Sequence, residues 1–212
     1  MRNMQITSDY KNGIYVDVKY TQEAENEINK IIKDLGLKKD FNDNFHITIT
    51  YSKEFFNPIF PFSDLNKDFT KDSNKYYLLL SEEVYVTIKS FGHFDTPEGK
   101  NLHVVLDCDF CKKVHDKHIK AGAKYDFDKY IAHSTLLYNC KDFDVFEKSG
   151  VLKDSLKKYI GKKLQLKSID ISPLNENWVE DSQSKNQKSK KYKIIKINDI
   201  KKRIINDIKT KR

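Results

Sequence analysis

The stretch HITITY at residues 46–51 returns eighty-seven residues later as HSTLLY at residues 133–138. Both copies read His-x-Thr-apolar-x-Tyr, and their composition is typical of β-strands. On a strand successive side chains alternate between the two faces, so the histidine and the threonine two positions later project from the same side. Each copy therefore pairs an imidazole with a hydroxyl. The duplication predicts two matching units that act together.

The residue types in the two units suit cleavage of a phosphodiester. That reaction removes a proton from an attacking hydroxyl, gives a proton to a leaving oxygen, and needs hydrogen-bond donors for the phosphoryl oxygens. Histidine fits both proton roles because its ordinary pKa of about 6.5 leaves both protonation states populated near neutrality. We predict His46 and His133 as the acid and base, in an order the sequence leaves open, and Thr48 and Thr135 as the phosphate donors.

The other four histidines and the two repeated tyrosines are interpreted as structural. No ligand spacing joins His93, His103, His115 and His118, and we predict packing roles for all four. Tyr51 and Tyr138 lie an odd number of residues from their histidines. In an unbulged strand they would point to the opposite face, which predicts that they are packing residues too.

The sequence predicts an α+β fold with one domain at residues 1–182. A strand at 13–20 alternates aliphatic with polar residues, and the following helix is predicted to begin after Thr21 and to stop at Gly36. The remaining predicted elements are a His-x-Thr strand at 45–51, an ordered loop at 55–69, a hairpin of 83–94 with 101–108, a helix at 110–121, the second His-x-Thr strand at 130–138, a short helix at 151–159 and a strand at 164–171.

Composition restricts the class of protein. Charged residues make up 33% of the chain and the mean hydropathy is −0.71, which indicates a heavily charged surface. No segment approaches the roughly 20 apolar residues of a membrane span, and the first residues do not resemble a secretion signal. The three cysteines, 108, 111 and 140, do not resemble a disulfide framework, so free thiols that pack in the core are expected. These features predict a soluble cytoplasmic protein without a metal site.

The net charge of +8 is concentrated at the end of the chain. Residues 183–212 carry +10, which leaves −2 for residues 1–182. Residues 182–189 have the composition of a solvated linker. Isoleucines near helical spacing predict a short basic amphipathic helix over 192–208. This tail is either a solvated appendage or a weak, salt-sensitive contact to nucleic acid.

Paired His-x-Thr strands in the two halves of an α+β chain resemble the 2H phosphoesterase superfamily. The longer runs resemble one branch of it, the phage anti-CBASS phosphodiesterases that degrade cyclic oligonucleotide defence signals. Four pieces of sequence carry this resemblance, which covers residues 13 to 178. They are GIY at 13–15, HITITYSK at 46–53, HD at 115–116 and YDFDKYIAHSTLLYN at 125–139.

The resemblance implies a bilobal fold, in which two pseudo-symmetric sheet-plus-helix lobes surround a central cleft. It also implies hydrolysis of 3′–5′ linkages in cyclic di- and trinucleotides, with no metal or other cofactor. Tyr15 and Trp178 match aromatic positions that contact bases. For an expected glutamate near the last strand two positions stay open, Glu176 and Ser172. The chain departs from the branch at Ala132, where proline is expected.

Two other functions remain open at the level of sequence. The same paired histidines could serve a phosphoesterase of RNA ends, acting on 2′,3′-cyclic phosphates or 2′–5′ linkages. Alternatively, the aromatic residues and the basic tail could belong to a protein that binds nucleotides or RNA without cleaving them. The sequence leaves the preferred bases and the oligomeric state open.

Overall fold

The computed structural model describes residues 10, 12–35, 44–60, 70–72, 75–96, 99–140, 152–174 and 193–194. Eight strands and three helices lie within these ranges. In chain order they are β1 (Ile14–Tyr20), α1 (Gln22–Asp34), β2 (His46–Ser52), β3 (Thr70–Asp72), β4 (Lys75–Thr96), β5 (Gly99–Asp107), α2 (Asp109–Lys120), β6 (His133–Cys140), α3 (Asp154–Lys157), β7 (Lys163–Pro173) and β8 (Lys193–Ile194). Each predicted helix and strand has an observed counterpart in these ranges, apart from the tail.

One antiparallel sheet dominates this mixed α and β structure. Its main path runs β2-β1-β7-β4-β5-β6, with β3 and β8 each paired to β4. The two ends of the path are built alike. A strand-helix-strand unit, β1-α1-β2, forms one end, and a second such unit, β5-α2-β6, forms the other. The two His-x-Thr strands are thus the two ends of the path. They also contact each other, so the sheet curls until its ends meet.

Local sequence explains the first strand-helix-strand unit. In β1 the aliphatic residues Ile14, Val16 and Val18 are completely buried. The Thr21 hydroxyl accepts a hydrogen bond from the backbone N–H of Ala24 at 3.4 Å and so caps α1, as predicted. A stripe at helical spacing, which includes Ile28 and Ile31, packs the helix on the outer face of the sheet.

The central strand β4 is longer than the sequence predicted. It begins at Lys75, whereas the pattern predicted a strand only from Glu83. The ladder with β7 shifts register between Leu79 and Val84, and Leu79 is 62% exposed. This irregular stretch breaks the period-two alternation from which a strand is recognised.

Two other expectations need correction. Cys108 and Cys111 are joined as a disulfide rather than free, because the first turn of α2 brings their Cα atoms to 5.3 Å, within bridging distance. Both cysteines are buried, as predicted, and Cys140 is free. Lys193 and Ile194, near the start of the predicted tail helix, form a strand against Gly92 and His93 instead. The remainder of that predicted helix lies outside the described residues.

Within the described ranges, none of the helices combines the length and apolarity that crossing a membrane requires.

Candidate active site

The two His-x-Thr strands carry a β-bulge at the same place. In β2, Thr48 pairs with Asp17 and Thr50 pairs with Val16, so Ile49 is an extra residue. In β6, Thr135 pairs with His103 and Leu137 pairs with Leu102, so Leu136 is the extra residue. Each bulge therefore falls three positions after the histidine. The sequence duplication is thus also a duplication of backbone geometry.

The bulges change which face the repeated tyrosines occupy. Ile49 and Thr50 both point into the core, and so do Leu136 and Leu137. The alternation restarts one residue late, and Tyr51 and Tyr138 return to the face that carries the histidines. Tyr51 lies directly opposite Tyr15 in the ladder, and Tyr138 is 48% exposed. The prediction that both tyrosines point away from the histidines was wrong, because it assumed strands without bulges.

The two catalytic candidates are held in the same way. The Nδ1–H of His46 donates to the carbonyl oxygen of Asn44 at 2.8 Å, and the Nδ1–H of His133 donates to that of Ile131 at 2.9 Å. Because a carbonyl oxygen can only accept, Nδ1 carries the proton in each neutral ring. Each Nε2 is then left with its lone pair for proton transfer.

The pKa of His133 depends on its burial and, to a lesser extent, on His46. Burial lowers the pKa of His133, the hydrogen bond to Ile131 raises it, and the positive charge of His46 lowers it again. Charge on one ring therefore affects protonation of the other. The buried surroundings favour the neutral form of His133 at neutral pH.

Tyr15 belongs to the His46 half of the site. Its hydroxyl and Thr48 Oγ1 are 2.8 Å apart, and its ring meets the His46 ring edge-on at a centroid distance of 6.1 Å. Burial raises the pKa of Tyr15, the charge of Asp17 raises it further, the hydrogen bond with Thr48 lowers it, and Tyr138, from the other half, raises it by the smallest amount. The structure thus brings Tyr15, one of the predicted base contacts, beside Thr48 at the point where the two halves meet.

An aromatic stack supports the His133 half of the site. His103 is stacked on Phe94 at a centroid distance of 4.1 Å, and both rings meet His133 edge-on, at 5.4 and 5.2 Å. Burial lowers the pKa of His103 to about 3, and the nearby His133 lowers it too, so His103 is neutral. We predicted a structural role for His103 and did not anticipate its contact with His133. That contact follows from the pairing of β5 with β6, in which His103 lies opposite Thr135 and Val105 lies opposite His133.

A separate set of side chains holds β2 at its bulge. The Tyr130 hydroxyl donates to the Thr48 carbonyl at 3.1 Å, and His115 Nδ1–H donates to the Ile49 carbonyl at 2.7 Å. His118 Nδ1 lies 2.8 Å from the Thr50 hydroxyl. Hydrogen bonds from α2 and from the segment before β6 therefore hold three consecutive residues of β2. The packing roles that we predicted for His115 and His118 agree with these bonds.

The face of the sheet that carries Tyr15 and Thr48 also carries two carboxylates. Asp17 is buried beside Asp170, its ladder partner on β7. The Oδ2 atom of Asp17 forms an ion pair with Lys19 Nζ at 2.9 Å. Burial raises the pKa of Asp170, the Ser168 hydroxyl lowers it, and Asp17 raises it further. Ser172 pairs with Tyr15 in the ladder and therefore lies on the same face of the sheet. Glu176 and Trp178 lie outside the described residues. Among the residues that the structure does describe, no three histidine, cysteine or carboxylate side chains cluster as metal ligands would.

Comparison of the sequence with known proteins identifies a family that the chain matches. The model of the family described as "Anti-CBASS protein Acb1" matches residues 12–181 of the chain. A curated relative of that name from Salmonella phage S16 is 27% identical over 176 residues, which cover 82% of this chain and 95% of the relative. A second, from Escherichia phage RB16, is 27% identical over 140 residues and covers 66% of the chain and 69% of the relative. A third, from Enterobacteria phage T4, is 25% identical over 135 residues and covers 62% of the chain and 75% of the relative.

Proposed function

Because the chain belongs to the anti-CBASS protein Acb1 family, we propose that it is a phosphodiesterase that hydrolyses the 3′–5′ bonds of cyclic di- and trinucleotide signals. In this role it counters the anti-phage defence named in the family description, in the cytoplasm of an infected cell. One observation above all supports the proposal. Two His-x-Thr strands from opposite ends of the sheet present identically anchored imidazoles, and the charge of one influences the protonation of the other.

The proposal includes the bilobal 2H phosphoesterase architecture. The mirrored order of the sheet supports it, since β1-α1-β2 and β5-α2-β6 are equivalent units on either side of the central pair β7 and β4. Each unit contributes one His-x-Thr pair and one bulge to the proposed site. The cleft between them would then be the site of reaction.

We assign the proton roles from the surroundings of His133. His133 is kept neutral by burial, and we propose that it is the base that takes the proton from a ribose 2′-hydroxyl. The 2′-oxygen attacks the adjacent phosphorus, and the bond from phosphorus to the 5′-oxygen breaks. His46, protonated on Nε2, gives its proton to that leaving oxygen. The product is a linear nucleotide that ends in a 2′,3′-cyclic phosphate, which water can open in a second step.

The threonine hydroxyls would stabilise the charge that develops on the phosphoryl oxygens. The hydroxyl of Tyr15 lies within hydrogen-bond distance of Thr48 Oγ1. If the tyrosine donates, the threonine proton is free to point at a phosphoryl oxygen. Tyr15 would then orient Thr48 as well as contact a base. Trp178 and Glu176 remain proposed substrate contacts.

Product analysis on a panel of substrates tests the proposal. The panel contains cyclic dinucleotides, a cyclic trinucleotide, a 2′–5′-linked dinucleotide and an RNA ending in a 2′,3′-cyclic phosphate, each incubated with and without EDTA. We expect linear products from the cyclic substrates, with equal rates in EDTA. Cleavage confined to the 2′–5′ linkage or the RNA end would identify a phosphoesterase of RNA ends instead. Binding without any product would identify a sequestering protein, and loss of activity in EDTA would contradict the metal-free mechanism.

A further inference from the structure

A cavity opens at the far end of β2 from His46. Its volume is about 340 Å³, and it is lined by Tyr51, Lys53, Glu54, Lys124, Tyr125 and Asp126. This volume is at the lower end of the range for sites that bind small organic molecules. Thr48 and Tyr51 are three residues apart on one strand, about 10 Å at the usual rise of a strand. The cavity therefore adjoins the proposed reaction site.

The β2 bulge is what makes Tyr51 available to this cavity. Without the extra residue at Ile49, the Tyr51 side chain would point to the opposite face of the sheet from Thr48. With the bulge, Tyr51 stands on the face of the catalytic residues and lines the cavity together with Tyr125. The Tyr125 ring is fixed from behind by an edge-on contact with His115, at a centroid distance of 4.5 Å. Two aromatic surfaces are thus held at a site that opens beside the cleft.

The charged side chains of the cavity are weakly engaged with one another. Lys53 lies 3.4 Å from Asp126, and Lys124 lies 3.9 Å from Glu54; all four side chains are at least 38% exposed. Exposed ion pairs of this kind contribute little free energy, so both ammonium groups can turn to another partner. Because the lysines and carboxylates balance, net charge alone would not hold a simple anion here.

These features together fit a nucleotide. A base can stack on the tyrosine rings, a phosphate can take the ammonium groups, and the carboxylates can accept hydrogen bonds from ribose hydroxyls or base amino groups. We propose that this cavity binds the second nucleotide of a cyclic dinucleotide, with the phosphate that is not being cleaved, while the first phosphate lies between His46 and His133. This inference rests on the proposed function, since it takes the cyclic dinucleotide as the substrate.

The site would select for cyclic substrates by contacting both nucleotides of the ring at once. A linear dinucleoside monophosphate such as ApA offers a 3′–5′ bond to the histidines but has no second phosphate for the lysines. We therefore expect the two cavity lysines to affect cyclic substrates and not ApA. This difference separates a failure of the subsite from a failure of the proposed chemistry.

Paired lysine variants test the inference. The double variant Lys53→Ala/Lys124→Ala is compared with Lys30→Ala/Lys157→Ala, which removes the same charge from exposed lysines on α1 and α3. We expect the cavity variant to raise KM for cyclic di-adenylate at least tenfold and to leave kcat/KM for ApA unchanged. The control variant should change neither. Equal losses on both substrates, or no loss on either, would overturn the subsite.

Affinity measured by calorimetry covers the case in which the proposed chemistry fails. Binding of cyclic di-adenylate is measured in the His46→Ala background, with Tyr51→Leu and Tyr51→Phe added in turn. Stacking of one base on an aromatic ring corresponds to roughly 5- to 150-fold in affinity. Tyr51→Leu should lose a factor in that range, while Tyr51→Phe keeps the ring and should bind as the parent does. Equal affinity of the leucine and phenylalanine variants, or no measurable binding by the parent, would overturn the subsite whether or not the wild type cleaves.

Discussion

Gly92 tests whether the aromatic stack behind His133 is built as described. A Cβ at this position would lie 2.7 Å from Nε2 and 3.2 Å from Cε1 of His103. Such distances force the imidazole to move, yet that ring is confined between Phe94 and His133. Gly92→Ala should therefore displace His103 and, through it, His133.

The sign of the change in the free energy of unfolding shows whether Gly92 lies in open space or against the His103 ring. A glycine replaced by alanine where there is space stabilises a protein by ~0.4–1 kcal/mol, because the unfolded chain loses conformational freedom. Overpacking of a close-packed site costs ~1–3 kcal/mol. The overpacking term is larger, so Gly92→Ala should lower the free energy of unfolding by about 1–2 kcal/mol. Turnover of a cyclic dinucleotide should fall as well, since His133, the proposed catalytic base, is no longer aligned.

Urea denaturation and steady-state kinetics measure the two effects. Ser90→Ala is the matched control, because Ser90 is a buried residue two positions earlier on the same face of β4 and pairs with Val105 rather than with His103. The double variant Gly92→Ala/His103→Ala removes the clash, so its destabilisation should be smaller than the sum of the two single values. A Gly92→Ala protein that is as stable as wild type or more stable, with full turnover, would refute the described packing of His103.

Three other predictions concern the site and the tail. His46→Ala and His133→Ala should each still fold and lose ~10²–10⁴-fold in turnover, and full activity of either variant would rule out the pair. Burial lowers the pKa values of His103 and His118 to about 3, so the unfolded chain binds more protons than the folded one once the pH falls below about 6.5. The free energy of unfolding should then decrease by up to roughly 1.4 kcal/mol per pH unit for each histidine between pH 6 and pH 4; His103→Gln should reduce that slope in urea titrations, and an identical slope would contradict the burial effect. Truncation after Ile194, which keeps β8, should leave turnover of cyclic dinucleotides unchanged and abolish any salt-sensitive retention of single-stranded RNA by the full chain, whereas a truncated protein that still bound RNA would exclude residues 195–212 as the contact.

The sequence was informative about the elements whose patterns are local. α1 could be predicted with its cap because Thr21 and the apolar stripe signal a helix within a few residues. The hairpin of β4 and β5 was marked by its turn residues. Its register then implies that His103 faces Gly92, so the contact with His103 could have been predicted by counting back from the turn.

The bulges could not be predicted from alternation, which assumes one residue per step on both strands. A signal was present in the second copy, where Leu136 and Leu137 are adjacent apolar residues that an unbulged half-buried strand would not carry. In the first copy Ile49 is followed by Thr50, which is buried only because His118 on α2 meets its hydroxyl. That contact joins residues 68 apart in the chain. A pattern within one strand carries no information about such a partner.

The position of the two His-x-Thr strands at the ends of the sheet path carries a structural cost, which in β2 is offset by the side chains that hold its bulge. An end strand exposes backbone carbonyl groups that have no neighbouring strand, which makes it prone to pairing with other chains. In β2 two of these groups, the carbonyls of Thr48 and Ile49, instead accept hydrogen bonds from Tyr130 and His115. The bonds satisfy the backbone, exclude a further strand and hold the bulge that orients Thr48 and Tyr51. The hydrogen bonds from His115 on α2 and from Tyr130 before β6 therefore explain how an end strand can be held precisely enough for the proposed role of Thr48.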